Sequence, residues 1–398
     1  MTGNSESRAF SRTREVFAQG HAKRLHHGLQ IFVSRRGQCL LDEAWGTRGD
    51  AAAAVTVAPQ SVESSDEVNF RALSPSDLML WMSAGKPLLA AALARLVLAE
   101  RLDWDEPVTQ SLPEFQDVGR PLTVQHLLTH QSGLALTEIE WNGSLPDIVA
   151  QLSADPARRP PGQTAAYSPA ANWFVLGEII ARVHRQPFLA SMRDLILAPC
   201  GMQHTFNGMS ASEYSVHSEK IVPVYSRVRG ELVPDPVLSG KSATTVSPGG
   251  NWRGPVRELG WFYECLFGYR VANGEAGQGT QRIAAEEWVS IRNALVVPGR
   301  IGEQDATFRH IIDFGRGVIL NSNRYGPTTV PYGYGRGASD SAVGHGGSQC
   351  SIAFADPRYE LVVAWAANGR PGEGQHQRRN RALNDAIYED LGFSSSGS

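Results

Sequence analysis

The chain is predicted to fold as an α+β protein, an α/β sandwich in which an antiparallel sheet built from both termini is flanked by helices and interrupted by a mostly helical lobe. Three observations predict this. A pair of short apolar runs flanks a tight turn near the N-terminus, a second such pair lies near the C-terminus, and the stretch between them is dominated by helical patterns. Strands at the two ends can share a sheet only if the chain returns to where it began. That assigns residues 1–75 and 300–398 to a sheet lobe and 76–299 to a helical lobe, with a site expected between them. At 398 residues the chain is long enough to bury a large core.

In order along the chain, residues 29–33 and 39–41 flank Arg35-Arg36-Gly37-Gln38 and read as a hairpin. Residues 46–66, rich in Ala, Gly, Ser and Thr, read as a loop. The helical middle runs from about residue 74 to 202, and a looser segment follows to about 300. Within it the run PLLAAALARLVLAER, residues 87–101, is apolar on nearly all sides, the pattern of a core helix. A proline is tolerated only in a first turn, so Pro87 starts that helix close to Ser83. Near the C-terminus, residues 350–354 and 361–366 flank Asp356-Pro357-Arg358-Tyr359 as a second hairpin, and an amphipathic helix closes the chain over about 377–391.

The most informative single residue is Lys86. Of 37 basic residues only Lys23, Lys86, Lys220 and Lys241 are lysine, so surface charge is carried by arginine. Lys86 lies in the apolar Trp81-Met82-Ser83-Ala84-Gly85-Lys86-Pro87, where a solvated cation has no evident use. Arginine cannot lose its proton in a protein, whereas lysine loses it readily on burial and becomes a base. Ser83 precedes Lys86 by three residues, one helical turn, which is the spacing of a serine nucleophile and its lysine. The plainer alternative is a lysine snorkelling at a helix start. Placement decides against it: the serine hydroxyl falls at a helix N-terminus, where free N–H groups and the helix dipole favour developing negative charge. There is no G-x-S-x-G, which removes a nucleophile elbow as a source of reactive serine.

With these residues stand Leu102-Asp103-Trp104-Asp105-Glu106-Pro107, Leu122-Thr123-Val124-Gln125-His126-Leu127-Leu128-Thr129-His130-Gln131-Ser132-Gly133, Pro161-Gly162-Gln163, Tyr167-Ser168-Pro169, Ser247-Pro248-Gly249-Gly250 and Gly344-His345-Gly346-Gly347-Ser348. In this order they resemble the serine β-lactamase and penicillin-binding-protein superfamily from about residue 28 to 392. The likeness is to its class C β-lactamase-like branch, with family VIII esterases and D-amino-acid-specific peptidases. The resemblance implies one catalytic unit in which Ser83, Lys86 and Tyr167 are catalytic and the backbone N–H groups of Ser83 and Ser348 form an oxyanion hole. A phenol near a lysine ammonium is expected to have a depressed pKa. The third place of Tyr-x-Asn is Pro169 here, so Asn172 is the candidate to supply the missing substrate contact. His345, Gly346 and Gly347 stand where Lys-Thr-Gly is usual and are expected to bind substrate, the glycines admitting close approach of a ligand.

The reaction implied is two-step acyl transfer by an acyl-enzyme, which needs no metal or organic cofactor, with a small-molecule ester as first-choice substrate. The alternatives are a D-amino-acid-specific peptidase or amidase, a weak β-lactamase, an acyltransferase, or a non-catalytic binding protein. Net charge is −3 and basic tracts are short, which does not suit nucleic acid. No stretch approaches the roughly 18 apolar residues of a membrane span. The polar first twenty residues lack a secretory apolar core, so a cytoplasmic or already processed chain is expected. Cys39, Cys200, Cys265 and Cys350 are scattered, and His126 and His130, though spaced i, i+4, have no partnering Glu or Cys; neither a disulfide framework nor a metal site is expected.

Overall fold

The computed structural model describes residues 10–49, 71–115, 119–134, 143–155, 158–270 and 283–393. The N-terminal hairpin is present as β1 (Gly28–Arg35) and β2 (Gln38–Gly46). Its two-residue turn puts Arg36 at φ 56° and Gly37 at φ 74°, the left-handed pair that matches the twist of the flanking strands. Most of the stretch expected as a loop over 46–66 lies outside the described residues. The C-terminal half of the sheet comprises β3 (Ile319–Leu320), β4 (Val343–Gly347), β5 (Ser351–Asp356) and β6 (Leu361–Ala367). The six strands run in the order β2-β1-β6-β5-β4-β3, all antiparallel, so the first strand pairs with the last across the whole chain.

Six helices frame the sheet and the site: α1 (Ser11–Ala22), α2 (Lys86–Leu98), α3 (Ala171–His184), α4 (Val256–Leu266), α5 (Ala285–Val296) and α6 (Glu373–Asp390). Both sheet faces are covered, and the strand residues alternate accordingly. Leu29, Ile31 and Val33 of β1, with Val363 and Trp365 of β6, join Leu383, Ile387 and Tyr388 of α6 in one core. Phe32, Ala353, Ala355, Ala364 and Ala366 face the other way and join the larger core with Leu259 and Phe262 of α4. The small residues on that face let α4 lie close to the sheet. Thus a helix inside the span expected as a helical lobe packs on the sheet itself, in a segment whose sequence looked loose.

α1 was not evident in the sequence, because its apolar residues are few. Val16 and Phe17 pack it on the core, and polar contacts fix its start: Thr13 donates to Asp390 through both its backbone N–H (2.9 Å) and its hydroxyl (2.7 Å). α6 begins at Glu373, earlier than its apolar periodicity suggested, and those extra residues matter for the site. α2 is buried on every side from Lys86 to Ala94, as its composition required. None of the helices is long and apolar enough to cross a membrane among the described residues.

A Cβ on Gly37 would lie 2.0 Å from the Tyr269 carbonyl oxygen and would need the same left-handed backbone. Gly37→Ala is therefore expected to lower stability by about 1–2 kcal/mol or more, read as an earlier midpoint in urea unfolding; an unchanged midpoint would mean that the turn does not constrain the sheet edge.

Candidate active site

The serine lies on a short 3-10 turn, Met82–Gly85, that runs directly into α2. Met82 has φ 50°, a left-handed conformation that costs a non-glycine residue roughly 1–3 kcal/mol and persists only where its surroundings hold it. The surroundings are specific. Trp81 donates its N–H to Trp252 O (2.8 Å), and its own carbonyl accepts from Ser351 Oγ (2.6 Å) at the start of β5. The end of β4 presses on the same turn: a Cβ on Gly347 would meet Trp81 O at 2.1 Å, and one on Gly346 would enter the Tyr332 ring. The two glycines thus serve close packing of protein on protein, and Gly346 also lines the cavity.

Lys86 is fully buried, and its Nζ lies 2.8 Å from Ser83 Oγ, 2.8 Å from Pro169 O and 2.5 Å from Gly249 O. Burial drives its pKa well below the ordinary lysine value. A neutral amine has two hydrogens and one lone pair. With both hydrogens directed to the carbonyls of Pro169 and Gly249, the lone pair is left for Ser83 Oγ. The Trp173 and Tyr167 rings flank the same nitrogen, at 5.1 and 5.5 Å from their centroids.

Tyr167 lines the same cavity as Ser83. Its pKa is raised, not depressed: burial outweighs the lowering by Ser83, and Asp305 and Glu373 add to the rise. The expected lowering by Lys86 does not offset the burial of the phenol. The Tyr167 backbone is fixed by Asp305, whose Oδ2 accepts from Tyr167 N–H (3.0 Å) and from Arg300 Nη2 (2.8 Å). Its Oδ1 accepts from the N–H groups of Thr307 (2.8 Å) and Phe308 (2.9 Å). His130 is packed against the Tyr167 ring with centroids 4.6 Å apart, and its Nδ1 accepts from Ser168 N–H at 3.0 Å.

Ser83, Tyr167, His345, Gly346 and Ser348 open onto one cavity of about 550 Å³. A hollow of about 650 Å³ around Arg101, Arg182 and Arg185 contains none of them; there Arg182 is already paired with Glu114 and Glu178. His345 is buried, its Nδ1 against Gly346 O (2.7 Å), and its pKa is pushed down to about 3, first by burial and then by Lys86, so the ring is neutral. Asn172 does not join the cavity. It is fully buried on α3, where Nδ2 donates to Leu127 O (2.7 Å) and Oδ1 accepts from Ser132 Oγ (2.6 Å), so both ends of its amide are engaged in the core.

His126 caps the short helix Val124–Leu128 through Thr123, and no cluster of His, Cys, Asp or Glu suited to a metal occurs among the described residues. Sequence reasoning missed the carbonyl of Gly249, although its Ser-Pro-Gly-Gly block was noted, and missed Asp305 entirely. A lone aspartate in an irregular segment carries no local signal of the strand end and tyrosine it will meet.

The chain matches the family model described as β-lactamase over residues 13–387. It is 31% identical to esterase EstB of Burkholderia gladioli over 215 residues, 48% of this chain and 50% of that protein. The chain therefore spans about half the length of this curated relative. A family VIII carboxylesterase structure superposes with TM-score 0.71 at 21% identity, covering 96% of this chain and 97% of that one. EstCE1, a hydrolase with promiscuous acyltransferase activity, gives TM-score 0.73 at 17% identity over 97% of this chain and 100% of its own.

The Arg300–Asp305 pair is wholly buried, and Arg300 Nε and Nη1 have no partner among the described residues. Asp305→Ala would strand that guanidinium, and a loss of about 3–5 kcal/mol is expected. Urea unfolding checks it; a loss under about 1 kcal/mol would show that Arg300 finds another partner and that Tyr167 does not depend on this carboxylate.

Proposed function

The chain belongs to the β-lactamase family, and on that premise we propose that it is a serine hydrolase acting on small carboxylic esters through a Ser83-bound acyl-enzyme. The observation that carries this reading is the buried Lys86 Nζ at 2.8 Å from Ser83 Oγ beside an open cavity. The neutral amine takes the Ser83 proton as Oγ bonds to the ester carbonyl carbon. Charge passes to the carbonyl oxygen, for which the N–H groups of Ser83 and Ser348 serve as donors in this reading, a role supported by both residues lining the cavity. The C–O bond to the alcohol then breaks. Tyr167, held protonated by its raised pKa, hands its proton to the departing oxygen and is resupplied by the Lys86 ammonium. Water attacks the acyl-enzyme by the same route in reverse order and releases the acid. Tyr167 is thus a proton donor and relay, and the base is the lysine.

An ester is favoured over a carboxylate-bearing amide or β-lactam by the charge of the cavity. Among its lining residues there is no Lys or Arg, and His345 is neutral, so nothing cationic awaits a substrate carboxylate. Nitrocefin is expected to be turned over with a kcat/KM about two to four orders of magnitude below that of p-nitrophenyl butyrate, the size of two lost charge-assisted hydrogen bonds. Equal values would make the protein a β-lactamase.

The test of the reading itself is labelling with a fluorophosphonate followed by intact-mass measurement. One adduct is expected, absent in Ser83→Ala; a protein that takes no adduct is a binding protein on this fold. Lys86→Arg should slow labelling by more than about tenfold, because arginine cannot be deprotonated. The labelling rate of the wild type should fall as pH is lowered through the Lys86 pKa, since protonation consumes the lone pair. That limb lies below 10.5, the direction in which burial moves the group. A rate that rises as pH is lowered would remove Lys86 as the base.

A further inference from the structure

The cavity carries one formally charged side chain, and it is an acid. Glu373, exposed at the first turn of α6, lines the mouth with Ser348 and Tyr332. Its partners are neutral donors: Tyr332 Oη at 2.8 Å, Ser348 Oγ at 3.4 Å and Gln377 Nε2 at 3.5 Å. The nearby guanidinium of Arg379 on the same helix is turned inward, donating to the carbonyls of Leu25, Gln349 and Gly369.

The wall facing this carboxylate is aromatic. Tyr332, Phe308 and Tyr167 follow one another round the cavity, with ring centroids 6.0 Å apart for Phe308 and Tyr332 and 4.7 Å for Tyr167 and Phe308. Tyr332 is held there in a left-handed backbone, φ 53°, with its ring against the bare Cα of Gly346. Phe308 is held by Asp305. A carboxylate, ring faces and no competing cation together form a receptor for an alkylammonium group, which is attracted by the charge of the first and the quadrupole of the second.

Resting on the hydrolase reading above, we propose that the preferred substrates carry a positively charged alkylammonium group, bound between Glu373 and the Tyr332–Phe308 rings while the ester carbonyl lies at Ser83. Anionic substrates are repelled by the same carboxylate. Glu373 is a specificity-determining residue.

A matched pair tests this: choline butyrate and 3,3-dimethylbutyl butyrate, which differ by a quaternary nitrogen against a carbon of the same shape. The wild type should favour the cation by about tenfold in kcat/KM, and Glu373→Gln should reduce that ratio at least threefold. Using a ratio cancels any loss common to both esters. A wild-type ratio of one or less, or a ratio unchanged by Glu373→Gln, overturns the proposal. So does a variant that loses only thermal stability, which would make Glu373 merely an acidic residue favouring the helix start. Calorimetric binding of the same two esters to Ser83→Ala gives the preference without turnover. A tenfold binding preference in a protein that hydrolyses neither ester would sink the hydrolase reading and leave the ammonium site standing, whereas equal affinities would sink the site.

Discussion

The structure depends on the burial of one amine. Lys86 opens a helix that is buried from Lys86 to Ala94, and an ammonium there forfeits several kcal/mol of hydration. The fold meets this by bringing two carbonyls, from segments 83 and 163 residues away, onto Nζ, while burial lowers the pKa of the amine. Those two contacts tie the Tyr167-Ser168-Pro169 and Ser247-Pro248-Gly249 segments to the N-terminus of α2. The same three contacts that satisfy the amine aim its lone pair at Ser83, so structural satisfaction and chemical poise are one arrangement.

Around that point, position is fixed mostly by backbone. The strained Met82 is clamped between Trp252, Ser351 and the end of β4, and Asp305 holds Tyr167 and Phe308 through their N–H groups. Groups placed in this way cannot drift with side-chain rotamers, which suits a site where donors must be in place before charge develops. The arrangement also explains the two departures from the family pattern. Pro169 lacks an amide side chain, but its carbonyl reaches the lysine. His345 lacks a cation, and its neutral ring fills space beneath the cavity without adding charge to it.

The electrostatic character of the cavity follows from what desolvation has switched off. Burial lowers the pKa of Lys86 and of His345 and raises that of Tyr167, so each is pushed towards its uncharged form. Glu373 keeps its place at the solvent side, where a charge costs little. The carboxylate of Glu373 therefore lies at the entrance, and Ser83, Lys86 and Tyr167 lie in a desolvated interior where hydrogen bonds are strengthened.

Much of this was legible in the sequence because it rests on short-range rules. Arg36-Gly37 specifies a hairpin turn, the alanine- and leucine-rich run specifies a core helix, Pro87 specifies where it starts, and a serine one turn before a rare lysine specifies a pair. Pairing of the first strand with the last followed from the distribution of those elements. What the tertiary structure alone decided are quantities set by neighbours distant in sequence. The sign of the Tyr167 pKa shift depends on the burial of the phenol. Asn172, three residues beyond Pro169, turns into the core because Ser132 and Leu127 are there to satisfy it. The glycines after His345 answer to Trp81 and Tyr332, and α4 lies on the sheet because alanines on β5 and β6 leave it room. Asp305 and Glu373 have no local pattern at all. Spacing along a chain sets what a turn or helix can place side by side, whereas desolvation and the closing of hydrogen bonds depend on every atom within a few ångströms, and those atoms come from anywhere in the chain.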